Sequence, residues 1–322
     1  MPANRSAAVT IVQPPGPDVL PPGEHVSVLL DEVVAWLQPR AGGLYVDGTL
    51  GNGGHAAAIL DAAAPDGRLL GLDADPIAVE VASRRLERFG ARVIVVNASF
   101  RQMGHVLSAH NLGPVDGILL DLGLSSRQLD TSGRGFSFRH DEPLDMRFDP
   151  THGDSAADLL NRADESEIAD ILYQFGEEHR SRRVARAIVH RRQQAPITTT
   201  ADLVQAVEAA LGPKRGRTHP ATKTFQALRI AVNDELGALD ETLPLATSLL
   251  KPGGRLAVIA FHSLEDRRVK QFLRAGGTPQ APLKELTRKP VVTSPDEAAR
   301  NPRARSARLR VAERIEAGGL ST

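Results

Sequence analysis

A glycine-rich segment between an apolar run and a helical pattern constrains the fold of this chain more than any other feature. The segment is Asp47-Gly-Thr-Leu-Gly-Asn-Gly-Gly-His55, after the strand-like run 43–47 and at the start of a helix predicted over 54–61. Glycine at a strand-to-helix turn permits positive φ and lets a ligand approach the backbone closely. The segment therefore predicts an α/β fold with a ligand over this turn.

Further apolar runs alternate with helical patterns along the chain. Strands are predicted at 68–73, 92–97, 115–121 and 255–261, and helices at 76–89 and 223–250. The runs 286–292 and 308–315 are predicted to form a closing hairpin. Because strands that alternate with helices form parallel sheets, the chain is assigned to the α/β class, with a mostly parallel, Rossmann-like sheet.

The alternation is interrupted in the middle of the chain. No strand-like run occurs between 125 and 222, and helical patterns cover 156–160, 166–193 and 200–211. We therefore predict one α/β domain formed by 24–130 and 223–322, with a mainly helical domain, 131–222, inserted into it. The segment 1–23 holds six prolines and is predicted to be a disordered tail.

Composition limits the class of protein. The 322 residues include 39 basic and 39 acidic side chains, which argues against a passive nucleic-acid coat but permits a local basic patch. The absence of cysteine excludes disulfides and thiolate metal sites. Without an apolar run long enough to cross a membrane, we expect a soluble, cytoplasmic protein with no membrane partner. The oligomeric state stays open, and a homodimer is compatible with the sequence.

Two acidic residues define the expected ligand at the glycine-rich turn. Asp73 follows Gly53 by 20 residues at the end of the second strand, where its carboxylate can accept hydrogen bonds from ribose hydroxyls. Asp47 lies in the turn itself, where it would repel a pyrophosphate and attract an ammonium or sulfonium group. This favours S-adenosylmethionine over a nicotinamide dinucleotide. A purely structural turn, with Asp47 as a cap residue, is the alternative.

A third acidic residue, Asp121, ends the fourth strand. In a doubly wound sheet this position faces the ligand, so Asp121 is the leading candidate to accept an amine N–H and later its proton. His262 and Ser263 end the fifth strand and are second candidates for catalysis, although His262 has an equally good structural interpretation. The pair His262 and Glu265 is too small a cluster to propose a metal, and no metal is predicted.

Arginine is concentrated in two stretches, 180–192 and 300–310. Such runs are usually solvated surfaces, but two of them in a neutral protein favour contact with phosphates. Arginines near 134–147 either reach phosphates or pair with the neighbouring Asp141, Asp145 and Asp149. The candidate RNA-binding residues are Arg139, Arg147, Arg182, Arg183, Arg303 and Arg305.

Several motifs in a fixed order resemble a known family. They are His25-Val-Ser-Val-Leu-Leu-Asp-Glu32, the glycine-rich segment 47–55, Asp116-Gly-Ile-Leu-Leu-Asp-Leu-Gly123 with Ser125-Ser126, Arg134-Gly-Phe-Ser-Phe138, Pro143-Leu-Asp-Met-Arg147, Phe261-His-Ser-Leu-Glu-Asp-Arg267 and Asn301-Pro-Arg-Ala-Arg-Ser-Ala307. From His25 to Ile315 the chain resembles the bacterial RsmH (MraW) family.

The resemblance implies a class I methyltransferase with a helical insertion. It implies transfer of a methyl group from S-adenosylmethionine to N4 of cytosine 1402 in 16S ribosomal RNA of the small subunit. The residues that it implies for cofactor binding are Gly53, Gly54, His55, Asp73, Phe100, Asp121 and Gln128. The argument from the glycine-rich turn adds Asp47 and Gly51. Three rivals remain at this point. They are another S-adenosylmethionine-dependent RNA methyltransferase, a nicotinamide-dependent dehydrogenase, and a non-catalytic RNA-binding assembly factor that keeps a relic pocket.

Overall fold

A computed structural model describes residues 27–125, 128–129, 133–213 and 219–316. The predicted tail, 1–23, and Ser126 of the family motif lie outside these residues. The described strands are β1 (Leu44–Asp47), β2 (Arg68–Asp73), β3 (Val93–Asn97), β4 (Val115–Asp121), β5 (Leu250–Ala260), β6 (Gly277–Thr278), β7 (Ala281–Glu285), β8 (Val291–Val292) and β9 (Arg308–Arg314).

The helices of the same residues cover both faces of the sheet and the insertion. They are α1 (Leu30–Leu37), α2 (Gly54–Ala62), α3 (Pro76–Leu86), α4 (Met103–Ala109), α5 (Ala156–Arg162), α6 (Glu165–Gly176), α7 (Ser181–Gln194), α8 (Thr200–Leu211), α9 (Thr222–Asn233), α10 (Glu235–Leu249), α11 (Ser263–Arg274) and α12 (Pro295–Arg300). Three short 3-10 segments lie at Glu87–Arg92, Phe100–Gln102 and Pro302–Ser306.

The strands of the described residues form one sheet in the order β3-β2-β1-β4-β5-β9-β7-β6, and β8 pairs with β9. The first five strands in this order are parallel, and β9 runs antiparallel between β5 and β7. Strands β1 and β4 are almost entirely buried, as are the middle of β2 and the second half of β5, as expected where helices cover both faces of a parallel sheet. The predicted mostly parallel, Rossmann-like class is confirmed.

The end of the sheet differs from the predicted hairpin. Strand β9 matches the prediction, but its main partner on the outer side is β7 rather than a strand over 286–292. Only the two residues of β8 are extended within that predicted run. Pro290 lacks an N–H and interrupts the ladder just before β8, which explains the shortening. Strand β5 begins at Leu250, before the predicted strand 255–261, and its pairing with β4 shifts register between Leu250 and Arg255.

The helical insertion has its own apolar core. Its buried members run from Phe136 to Leu228, so the core takes in the first part of α9 as well as the predicted insertion, 131–222. Two predicted long helices are each broken in two. Glu177 separates α6 from α7 and Asp234 separates α9 from α10, both with left-handed φ of 49° and 46°. A non-glycine residue in this conformation ends a helix, and no sequence signal marked it.

The topology places three acidic residues at one edge. Strands β1, β2 and β4 are neighbours and parallel, and they end at Asp47, Asp73 and Asp121. This edge is where α/β sheets bind ligands. None of the helices in the described part of the chain is long and apolar enough to cross a membrane.

Candidate cofactor and substrate site

The glycine-rich turn adopts the conformation for which glycine is needed. Gly51 and Gly53 have φ of 52° and 76°, and Gly53 is the N-cap residue that precedes α2. A Cβ atom on Gly54 would clash with the Ser27 hydroxyl oxygen. The turn therefore leaves its backbone close to the cavity that opens at the end of β1.

Asp73 holds this turn from the neighbouring strand. Its carboxylate accepts hydrogen bonds from the backbone N–H groups of Gly51 at 2.7 Å and Asp75 at 2.8 Å. Desolvation by the surrounding protein raises its pKa to about 6, against the lowering effect of these bonds. A carboxylate has about four acceptor positions, so two remain for the hydroxyls of a ribose.

Asp47 is the most deeply buried of the three acids. Its Oδ1 atom accepts from the Thr49 N–H at 3.1 Å, whereas Oδ2 is buried and has no hydrogen-bond partner among the described residues. Burial raises the pKa of Asp47 to about 7, and the nearby charges of Asp121 and Asp73 add to the shift. A buried carboxylate oxygen without a partner is costly in free energy, so a cationic ligand beside it would be stabilised. The acids thus fit a positively charged, ribose-bearing cofactor.

Asp121 faces a histidine across the turn. Its Oδ2 atom lies 3.7 Å from Nδ1 of His55, and its Oδ1 accepts from the Gly123 N–H at 3.3 Å. The His55 ring is buried, and its Nε2 lies 2.9 Å from the Val28 carbonyl oxygen. Burial raises the pKa of Asp121, with His55 opposing the shift and the negative charge of Glu265 supporting it.

A cavity of about 560 Å³ brings most of the predicted cofactor residues together. The predicted residues that line it are Gly51, Gly54, His55, Asp73, Phe100, Asp121, Gln128, Arg147 and Arg303. Asp47 and Gly53 stand behind this lining, next to Gly48, Thr49 and Gly54, which belong to it. The cavity is therefore shared between the α/β domain, the insertion and the segment 302–306.

The insertion contributes one wall of the cavity that sequence reasoning missed. Phe148 lines it, and its backbone N–H donates to the Asn233 side chain at 2.8 Å. Behind this wall, the buried Arg134 pairs with Asp75 and donates to the Phe148 carbonyl oxygen at 2.9 Å. Asp75 could be foreseen as the cap of α3, but its partner is 59 residues away and no local pattern indicates it.

The second catalytic candidates lie outside the cavity lining. The Ser263 hydroxyl donates to the Glu177 carboxylate at 2.6 Å, so it ties α11 to the insertion. His262 caps α11, and its Nε2 lies 3.0 Å from Glu265 Oε1. Glu235 comes close enough to complete a group of three ligand-type side chains with His262 and Glu265.

One member of this group, Glu235, is bound to the guanidinium group of Arg229. Both carboxylate oxygens of Glu235 accept from Arg229, at 2.7 and 2.9 Å, and burial raises the pKa of Glu235 while Arg229 opposes the rise. The positive charge beside Glu235 is thus supplied by the protein itself, and we assign no metal to the group.

The predicted RNA-binding arginines divide into two sets. Arg147 is paired with Asp145 at 2.7 and 2.8 Å, the alternative left open by the sequence. Arg139, Arg182, Arg183 and Arg305 are exposed, and Arg303 is half-buried at the cavity.

The stretch 300–310 is less basic at the surface than its sequence suggests. Arg310 is buried and binds Asp266 at 2.7 Å, and Arg308 binds the same carboxylate at 3.1 Å. Arg310 is therefore held inside the protein, whereas Arg308 forms its ion pair at the surface, so the phosphate contact predicted for this stretch depends on its other arginines.

The sequence profile of the MraW methylase family matches residues 23–315. The chain belongs to this family. Ribosomal RNA small subunit methyltransferase H of Heliobacterium mobile is 51% identical over 309 residues, covering 90% of this chain and 99% of the relative. The proteins of the same name from Geotalea uraniireducens and Thermomicrobium roseum are each 50% identical, covering 90% and 92% of this chain and 98% and 95% of the relatives.

Similarity to solved structures is weaker. An rRNA methylase from Streptococcus thermophilus aligns with a TM-score of 0.41 and 11% identity, over 89% of this chain and 94% of that one. The family resemblance stated from the motifs is confirmed by the profile and the sequence relatives.

Proposed function

We propose that the protein transfers a methyl group from S-adenosylmethionine to the exocyclic N4 amine of cytosine 1402 in 16S ribosomal RNA. The observation that carries the proposal is the convergence of Asp47, Asp73 and Asp121 around a glycine-rich turn, in a member of the MraW methylase family. Three carboxylates suit a donor with a sulfonium and an ammonium group and disfavour the pyrophosphate of a nicotinamide cofactor. The relatives' name supplies the substrate, small-subunit ribosomal RNA.

The residues present fit the donor. Asp73 would accept from the ribose hydroxyls, and Phe100 would lie against the adenine. Asp47 and the backbone of Gly51 to His55 would hold the methionine part, and Gln128 would complete the site. When bound, S-adenosylmethionine supplies an activated methyl group.

Asp121 performs the step that the chain itself must provide. An exocyclic amine is a weak nucleophile because its lone pair is delocalised into the ring. A carboxylate that accepts a hydrogen bond from the amine N–H group favours attack of the nitrogen on the methyl group and then takes the released proton. The raised pKa of Asp121 makes it a stronger base than an exposed aspartate.

The RNA must present an unstacked base to this cavity. Enzymes that modify a base move it out of the helical stack, and Phe148 is an aromatic residue of the cavity lining on which a base could stack. Arg139, Arg182, Arg183, Arg303 and Arg305 would contact phosphates on either side. Arg147 would contact a phosphate only if its ion pair with Asp145 opens.

The decisive experiment uses 30S subunits from cells that lack this methyl group. The subunits are incubated with the protein and a labelled donor, and the label is mapped to a nucleotide and atom. We expect one label on N4 of cytosine 1402 and none with free mononucleotides. Label on another nucleotide would overturn the substrate, and no label at all would favour the assembly-factor rival.

Two further measurements complete the proposal. Titration with S-adenosylmethionine and with a nicotinamide dinucleotide should give binding of the first alone. The protein would act in the cytoplasm, where ribosomal subunits are assembled. Light scattering on the eluting protein would distinguish a monomer from the homodimer that the sequence left open.

A further inference from the structure

We propose that His55 receives, through Asp121, the proton that the target amine loses, so that Asp121 is returned to its charged form for the next turnover. The inference rests on the proposed function, because it concerns the fate of that reaction's proton. His55 lies on the glycine-rich turn, and its role in the turn does not require an imidazole facing the acid. The proximity of the His55 imidazole to the Asp121 carboxylate is the observation that supports the proposal.

The structure fixes which ring nitrogen of His55 carries hydrogen. Nε2 lies 2.9 Å from the Val28 carbonyl oxygen, and a carbonyl oxygen can only accept a hydrogen bond. In the neutral ring, Nε2 is therefore the protonated nitrogen and Nδ1 holds a lone pair. The opposite tautomer would leave two acceptors in contact inside the protein, which is costly.

The free nitrogen faces the acid that is proposed to act on the amine. Nδ1 lies 3.7 Å from Asp121 Oδ2, and both side chains line the same cavity. Asp121 Oδ1 is engaged with the Gly123 N–H, so Oδ2 is the oxygen available for proton exchange. A proton that reaches Oδ2 is therefore placed to pass to Nδ1, where it would lie between the two groups.

The transfer balances in atoms and charge. The amine nitrogen forms a bond to the methyl carbon as the carbon–sulfur bond breaks, and the positive charge passes from sulfur to nitrogen. The resulting ammonium gives one proton to the Asp121 carboxylate, and the neutral acid gives that proton to Nδ1 of His55. The imidazolium then loses it to water when the products leave the cavity.

Further charged side chains lie around the His55 ring. Asp121 on β4 faces it directly, and the negative charges of Glu265 on α11 and Asp47 on β1 are felt at Asp121. The cationic side chains of Arg85, on α3, and Arg303 also line this cavity. Two further acids, Glu265 and Asp47, therefore lie near the pair that would hold the transferred proton.

The test separates the first turnover from later ones. His55→Gln places an amide N–H near the position of Nε2 and can keep the bond to Val28, but it has no basic nitrogen. At saturating donor, rapid-quench kinetics of the His55→Gln variant on 30S subunits should show a burst of methylated product in the first turnover, followed by a slower steady state. The steady-state rate should fall by about tenfold more than the first-turnover rate, and the wild type should show no such split. An equal loss in both phases would assign His55 a structural role and overturn the proposal.

A second measurement uses the wild-type protein without any reaction. Two-dimensional NMR of the histidine-labelled protein should show hydrogen on Nε2 of the neutral His55 ring, and Asp121→Asn should change the Nδ1 signal. A neutral ring with hydrogen on Nδ1 would refute the inference even if the variant fails to fold. Methyl transfer to a different nucleotide with the burst intact would refute only the proposed substrate.

Discussion

The Asp73 carboxylate accepts a hydrogen bond of 2.7 Å from the backbone N–H of Gly51, so the acid at the end of β2 holds the glycine-rich turn at the end of β1. One side chain thus shapes the ligand-binding backbone and offers its remaining lone pairs to a ribose. The same kind of bond occurs outside the site, where Asp66 accepts from the Gly42 N–H at 2.7 Å.

Asp73→Asn should weaken binding of S-adenosylmethionine about 10- to 100-fold, because a charged acceptor for two N–H groups and the ribose is lost. Asp66→Asn is the matched control, since it removes a similar bond from an exposed turn. Isothermal titration of both variants checks the expectation. Equal affinities in the two variants would contradict the role assigned to Asp73.

The pH dependence of donor binding should report Asp47. The pKa of Asp47 in the folded protein is about 7, above the ordinary value of 3.8. Between pH 3.8 and pH 7 the folded, ligand-free protein therefore holds a proton on Asp47 that the unfolded chain has lost. This contribution to stability is present at low pH and is lost as pH rises through 7. A cationic donor needs the charged form, so its affinity should rise about tenfold from pH 6 to pH 8.

Asp47→Asn should remove most of this pH dependence of binding. Adenosine, which carries no positive charge, is the control ligand, and its binding should respond mainly to Asp73, whose pKa is about 6. Calorimetric titration at several pH values gives both curves. The same slope for donor and adenosine would show that Asp47 does not face the cationic group.

Asp121→Ala should lower methyl transfer by about 100- to 10,000-fold, because the variant loses the carboxylate that we propose accepts the amine proton. Ser263→Ala is the comparison, because its hydroxyl is bound to Glu177 outside the cavity lining and its loss should affect transfer far less. Rates are measured with undermodified 30S subunits at saturating donor. Near-normal turnover of the Asp121 variant would remove it from the mechanism.

Reversing the charges of Arg303 and Arg305 should weaken RNA binding and lower its salt dependence, by about 0.7 to 0.9 in log–log slope for each lost phosphate contact. Arg310→Met should instead destabilise the fold by about 3–5 kcal/mol, because Asp266 would keep a buried charge without its main partner. Filter binding over a range of salt concentrations and thermal unfolding distinguish the two effects. Unchanged RNA binding after charge reversal would exclude the segment 302–306 from the RNA interface.

Local patterns in the sequence determined much of the fold and part of the site. The five parallel strands, the glycine-rich turn and the acids that end the strands were all predicted, because strand periodicity and turn chemistry act over a few residues. From the order of these elements, Asp47, Asp73 and Asp121 could be placed at one edge of the sheet. The family motifs added Phe100 and Gln128, which the structure places in the cavity lining.

Only the tertiary structure decided which charges are available and what closes the cavity. Arg310 is neutralised by Asp266, 44 residues away, and Arg134 by Asp75, 59 residues away. The Phe148 N–H of the insertion donates to the side chain of Asn233 at the end of α9, and β9 lies between β5 and β7. These contacts depend on how distant segments pack, and the free energy of such packing leaves no pattern in the neighbouring residues. The sequence therefore showed which residues can do chemistry, and the packing selected those that can reach a ligand.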